Sequence, residues 1–214
     1  MIKNIIFDIG NVILQFDVEE IISNFTRKKS EKQFIINNII NSPEWLQYSL
    51  IDTGFISREQ AIEIVEDRTN HINDELIEKF WYRYNDYSFI NDNVIDIIKE
   101  LKESGDKIYL ITARWNLKDN NIEQITKDWL KENNVKYDKL IINAKEKLKF
   151  VKENNIEIFI DDSCRNCKDI EYNSNAKVFI MDTRVNQNLE DEKITRVYSW
   201  PHLYKEIKKL KEEN

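Results

Sequence analysis

Two short apolar runs, far apart in the chain, both end in carboxylates. Ile5-Ile6-Phe7 enters Asp8, followed by Ile9-Gly10-Asn11-Val12, and Ile158-Phe159-Ile160 enters Asp161-Asp162-Ser163. An unbroken apolar run of this length is the mark of a strand covered on both faces, as in a parallel sheet. Open parallel sheets bind ligands just beyond the carboxyl ends of their strands. Carboxylates gathered at such an edge repel one another unless a cation lies among them. The pattern predicts a magnesium site with one acid free to attack.

Further strand-like runs occupy 108–111, 140–142, 178–181 and, more weakly, 196–198, with helical patterns between them. Strands alternating with helices imply right-handed crossovers, and so an α/β fold built on a doubly wound, Rossmann-like parallel sheet. Asp8, Thr112, Asn143, Asp161 and Asp182 end the strand-like runs and are candidates for one rim. Residues 17–92 break the rhythm. Apolar positions there fall at helical spacing, as in Ile21, Ile22 and Phe25, then Phe34, Ile35, Ile39 and Ile40, then Ala61, Ile62 and Ile64. Ser57 and Gln60 have the spacing of a capping box. The expected organisation is a core of residues 1–16 and 93–214 with an all-helical cap, 17–92, inserted after the first strand. Phe80, Trp81, Tyr82, Tyr84 and Tyr87 are expected to pack between its helices. Ser199-Trp200-Pro201 begins a last helix whose Leu203, Ile207 and Leu210 form one apolar stripe.

Composition narrows the function classes. Of 214 residues, 41% are hydrophobic, enough for a real core. The net charge is -7, and no long basic stretch precedes residues 205–211, so nucleic acid is not an expected partner. No apolar run is long enough to cross a bilayer and no export signal is evident, so no membrane partner is expected. With two cysteines, a reducing cytoplasm is the expected compartment. Small anions remain open as ligands, because a bound metal reverses the local sign. No feature sets an oligomeric state.

Four motifs, taken in order, carry a resemblance. FDIGNV (7–12), LIT (110–112), the lysine-rich stretch around Lys147-Leu148-Lys149 and FIDDS (159–163) resemble motifs I to IV of the haloacid dehalogenase-like hydrolases, which are mostly magnesium-dependent phosphatases. The resemblance covers nearly the whole chain, with 17–92 in the place of the helical cap. The N-terminal half, including Asp52-Thr53-Gly54-Phe55-Ile56-Ser57, is similar to sugar-phosphatase members carrying D-x-G-N. The C-terminal half, with ITAR (111–114), IFIDDSCRNC (158–167) and VFIMDTRVN (178–186), is similar to 5′-nucleotidase-type members.

The resemblance implies a hydrolysis of small phosphate monoesters, either nucleoside monophosphates or sugar phosphates, through an aspartyl-phosphate. Asp8 is then the nucleophile. Asp8, Asp162 and the carbonyl of Gly10 hold Mg2+, and Asp161 is a further ligand or orients a metal-bound water. Lys147 holds nucleophile and phosphate together; it is preferred over Lys145 and Lys149 because its distance to Asp161 suits the nucleotidase type. Ile9, Gly10 and Asn11, with Thr112, Ala113 and Arg114, bind phosphate oxygens, although Asn11 equally could only shape its turn and Arg114 form a surface ion pair. Tyr48, Phe55 and Arg58 are guesses for substrate selection.

One position departs from the family. These phosphatases usually carry a second Asp two residues after the nucleophile as general acid, and here that residue is Gly10. Loss of such a group costs about 10²–10⁴-fold in rate. A phosphometabolite-binding protein with impaired catalysis is one alternative. A metal-free dehalogenase-type hydrolase is another, opposed by the Asp161-Asp162 pair. A thiol redox module at Cys164-Arg165-Asn166-Cys167 is a third.

Overall fold

The computed structural model describes residues 3–15, 17–46, 56–84, 89–114, 121–144, 146–184 and 186–213. The strands are β1 (Asn4–Asp8), β2 (Leu14–Gln15), β3 (Phe89–Ile90), β4 (Lys107–Ile111), β5 (Lys139–Ile141), β6 (Ile158–Asp161), β7 (Lys177–Met181) and β8 (Thr195–Val197). Six of them form one sheet in the order β5-β4-β1-β6-β7-β8, while β2 and β3 make a separate pair. Every neighbouring pair in the large sheet runs parallel. Helices Val94–Glu103, Ile122–Glu132, Lys147–Glu153, Cys164–Asn173 and Trp200–Glu213 connect or follow these strands. The expected α/β parallel fold is the one adopted. Strands β5 and β8 each begin one residue earlier than their apolar runs suggest.

The order of the sheet explains the apolar runs. β1 lies between β4 and β6, and Ile5, Ile6 and Phe7 are fully buried. Ile158, Phe159 and Ile160 of β6 are equally buried. Each such side chain contributes roughly 1.5–3 kcal/mol by leaving water. Phe7 pairs in register with Leu110 on one side and Ile160 on the other. The next residues, Asp8 and Asp161, therefore leave the sheet as neighbours. Trp200, at the start of the last helix, stacks on Phe7 with ring centroids 5.0 Å apart and donates its indole N–H to the carbonyl of Val12 at 2.8 Å. The C-terminal helix thus fastens the loop that follows β1. Leu203 and Ile207 of its stripe are buried.

The described residues divide into two compact units, one containing residues 3–15, 90–114 and most of the chain from 121, the other residues 17–46, 56–84 and 89. The second is helical: Val18–Phe25, Lys29–Ile35 running into a π-turn at Ile36–Ile40, Pro43–Leu46, Arg58–Arg68 and Asp74–Arg83. Asp17 accepts a hydrogen bond from the Glu20 N–H, and Ser57 and Gln60 form a complete capping box. Ile21, Ile35, Ile39, Trp45, Ala61, Ile77 and Phe80 share its core, with Trp45 and Trp81 edge to face at 5.3 Å. Two side chains depart from the expected packing. Ile64 is 41% and Tyr82 50% exposed. Ile64 follows Ile62 by two positions, which turns it off the buried face of a helix. Tyr82 instead lies under Arg58 and reaches Glu59. Tyr87 lies outside the described residues.

Candidate active site

Asp8 is the last residue of β1 and Asp161 the last of β6, so adjacent strand ends deliver two acids to one point. Lys147, in the first turn of the helix Lys147–Glu153, enters between them. Its ammonium lies 2.6 Å from Asp8 Oδ1 and 2.6 Å from Asp161 Oδ2. All three are buried, Asp161 completely. Asp161 Oδ1 also accepts the Ser163 N–H at 2.8 Å, and the Asn166 amide donates to the same carboxylate. Asp162 turns its Oδ2 to the Asn11 amide at 2.8 Å. One carboxylate oxygen from each of Asp8, Asp161 and Asp162 lies within 4.8 Å of the others.

Among the described residues the charge balance is uneven, with one ammonium facing three carboxylates. Burial first, then repulsion from Asp161 and Asp162, pushes the Asp8 carboxyl up to about 8 against the opposing pull of Lys147. Burial and Asp161 push Asp162 up to about 6, opposed by the Asn11 hydrogen bond and Lys147. For Lys147, burial alone lowers the pKa, but the carboxylates of Asp161 and Asp8 outweigh it and hold the ammonium above its ordinary range. The pocket thus keeps a fixed cation and has room, electrostatically, for another. Hard divalent cations take carboxylate and carbonyl oxygens, and this donor set suits one.

The loop after β1 is tightly wound: the Ile13 and Leu14 N–H groups both donate to the Ile9 carbonyl. Ile9 is buried, and Asn11 adopts a left-handed backbone (φ 55°), a conformation Asn tolerates. Gly10 has no such requirement. A Cβ built there would find Asp8 Oδ2 at 4.0 Å as its nearest neighbour, so a side chain would fit beside the nucleophile candidate. Thr112 follows β4, is buried, and accepts the Arg114 N–H at 3.2 Å on its hydroxyl. Ala113 and Arg114 are half-buried beside it, and the Arg114 carbonyl accepts the Asn143 N–H.

Of the crowded lysines, Lys147 enters the acid cluster and Lys149 faces solvent toward Glu153. Lys145, Tyr48 and Phe55 lie outside the described residues, and Arg58 belongs to the helical unit. Cys167 is a free, fully buried thiol, and burial pushes its pKa upward, opposing the thiolate that redox exchange requires. Sequence reasoning missed Asn166. Its signal was its place three residues beyond the helix-capping Ser163, which turns its side chain back toward Asp161. A second acid and histidine group, Glu66, His71 and Asp74, sits in the helical unit, where the exposed His71 ring is already bonded to Asp74 at 3.0 Å.

No family model matches the chain. A nucleotidase from Clostridium acetobutylicum is 25% identical over 141 residues, covering 65% of this chain and 70% of its own length. A Bacillus subtilis protein that carries a nucleotidase name is 28% identical over 137 residues, 58% of this chain and 65% of its own. Among solved structures, a HAD family enzyme from Bacteroides thetaiotaomicron, determined with magnesium and inorganic phosphate, spans 95% of this chain and 99% of its own with 22% identity and a TM-score of 0.50. The fold is that of the haloacid dehalogenase-like hydrolases. Within that fold, this sequence is similar to the nucleotidase-type proteins. Among the described residues no helix is long and apolar enough to cross a membrane.

Proposed function

We propose that this protein is a Mg2+-dependent phosphomonoesterase acting on a small phosphorylated metabolite, with a nucleoside monophosphate as the preferred substrate. The observation that carries this reading is the buried Lys147 ammonium held between Asp8 and Asp161, with Asp162 within reach of the same ion site. The nucleotide preference rests on the nucleotidase names of two relatives. Asp8, Asp162 and the Gly10 carbonyl are the residues to hold Mg2+, with Asp161 as an additional ligand or orienting group. Bound there, Mg2+ would supply neutralisation of the charge between nucleophile and phosphate.

The chain's own residues supply the rest. An Asp8 carboxylate oxygen attacks phosphorus in line as the bond to the leaving oxygen breaks, giving an aspartyl-phosphate. Lys147 holds both anions at that point. The Thr112 hydroxyl, which the Arg114 N–H holds in place, and the backbone N–H groups of Ile9–Asn11 and Ala113 bind the spectator oxygens, with the Arg114 side chain beside them. Position 10 offers no proton, so the departing oxygen takes its proton from water. A second water then cleaves the aspartyl-phosphate, releasing inorganic phosphate and restoring Asp8.

The test is a panel of nucleoside monophosphates and sugar phosphates, assayed for phosphate release with Mg2+ and with chelator, for the wild type and Asp8→Asn. Metal-dependent release that vanishes in Asp8→Asn is the expected result. The absence of an acid at Gly10 favours one second reading, a phosphometabolite-binding protein, and tight binding without release across the panel would select it. Carbon–halogen cleavage independent of metal would select the dehalogenase chemistry instead.

A further inference from the structure

We infer that Asn186, clamped by Arg196, is a positioning residue for the proposed metal ligand Asp162; the inference rests on the phosphatase reading above. The ladder between β6 and β7 ends with Asp161 opposite Ile180. Asp162 therefore lies one residue beyond the last pair of that ladder, where strand geometry no longer fixes its backbone. Asn186 takes over that task. It comes from the loop after β7 and is 1% exposed. Its amide donates to the Asp162 carbonyl at 2.9 Å and to the Met181 carbonyl at 2.7 Å. Its side-chain oxygen accepts the Thr183 N–H at 3.1 Å and Arg196 Nη1 at 2.8 Å. Both donors and both acceptor sites of the amide are thereby used.

Arg196, on β8, fixes Asn186 in turn. Its guanidinium pairs with Asp182 at 2.7 Å and donates from Nη2 to the carbonyls of Asn186 at 2.9 Å and Leu189 at 3.2 Å. A planar fork of this kind orients several acceptors at once, which an ammonium cannot. Asp162 is consequently held at two points, its carbonyl by Asn186 and its carboxylate by Asn11. The amide of Asn186 touches no reacting atom in this arrangement. It acts through the main chain of Asp162, setting where that carboxylate points. Outer partners of metal ligands characteristically change metal affinity by about 10–100-fold when removed.

The experiment measures Mn2+ binding directly, by the loss of the free-ion paramagnetic resonance signal, alongside activity as a function of Mg2+ concentration. Asn186→Ala is expected to bind Mn2+ about 10–100-fold more weakly, and to need proportionally more Mg2+, while kcat at saturating Mg2+ stays close to wild type. Arg196→Lys keeps the charge opposite Asp182 but loses the fork, and a smaller weakening in the same direction is expected; it serves if Asn186→Ala does not fold. A folded Asn186→Ala, or a folded Arg196→Lys in its place, that loses thermal stability yet binds Mn2+ as tightly as wild type would overturn the inference, because a purely structural role does that. Wild-type protein that does not bind Mn2+, or that binds it as tightly in Asp162→Asn, would overturn the phosphatase reading itself, and the positioning role with it.

Discussion

Lys147 and Asp8, 139 residues apart in sequence, meet at 2.6 Å in a pocket from which water is nearly excluded. A buried pair of this kind is worth little relative to an apolar pair of equal volume, but breaking it leaves an uncompensated charge. Stability alone gives no reason for such a pair; the proposed chemistry does.

Replacing Lys147 by Met removes the ammonium that, among the described residues, is bonded to both Asp8 and Asp161. A loss of about 3–5 kcal/mol in unfolding free energy is expected at neutral pH without metal, and a fall of about 10²–10³-fold in phosphate release. The double variant Lys147→Met/Asp161→Asn should regain part of the stability and none of the activity. Urea titration and phosphate release under one buffer check both.

The raised carboxyls give the metal-free protein a defined pH response. Asp8 moves from 3.8 to about 8 on folding, and Asp162 from 3.8 to about 6. Between those values the folded state holds more protons than the unfolded one, so stability falls as pH rises. Their contribution is fully present below about pH 4 and is lost by the time pH has risen through about 8. Thermal unfolding in chelator should show this decline, and Asp8→Asn should flatten it. Added Mg2+ should raise the midpoint more at pH 8 than at pH 5, because only ionised carboxylates bind it.

Gly10→Asp adds an acid where the backbone leaves room for its Cβ, whose nearest neighbour would be Asp8 Oδ2 at 4.0 Å. Faster release from alkyl phosphates is expected, by up to about 10²-fold, with little change for aryl phosphates whose leaving group needs no proton. Equal rates for both substrate types would mean that another group already protonates the departing oxygen.

Trp200→Phe keeps the stack on Phe7 but abandons the Val12 carbonyl. The Val12 carbonyl still accepts Asn91 Nδ2 at 2.7 Å, so the expected cost is that of one lost hydrogen bond, about 0.5–1.5 kcal/mol; Trp200→Ala should cost about 3–5 kcal/mol. Denaturant midpoints of the two variants separate the hydrogen bond from the packing.

The α/β class was legible because its strands are buried on both faces, and such strands announce themselves as apolar runs, as in Ile5–Phe7 and Ile158–Ile160. The pairing of Asp8 with Asp161 followed from two runs ending in the same residue type. Asn186 and Asn166 were not legible as partners of the acids. Asn186 is a single amide in a loop, without periodicity, and its partner is chosen by the fold; Asn166 stands in the first turn of the helix Cys164–Asn173, where its spacing from the capping Ser163 was the one available signal. Asn11 was read as a phosphate-binding residue or a turn former; its side chain is bonded to Asp162. β2 and β3, at two residues each, are too short to leave a pattern. The outward turn of Ile64 and Tyr82 was hidden for a different reason: apolar content marks a helix before it marks which face is wet.

Because β1 is hydrogen-bonded on both edges, by β4 and by β6, its amides have no local route to solvent. Exposing Ile6 or Phe7 to exchange requires the whole sheet to come apart, so deuterium uptake there should report global unfolding. The nucleophile candidate hangs from a strand paired on both edges in the interior of the sheet. If Asp8 attacks phosphorus as proposed, its carboxylate serves as a fixed reference point for whatever else rearranges.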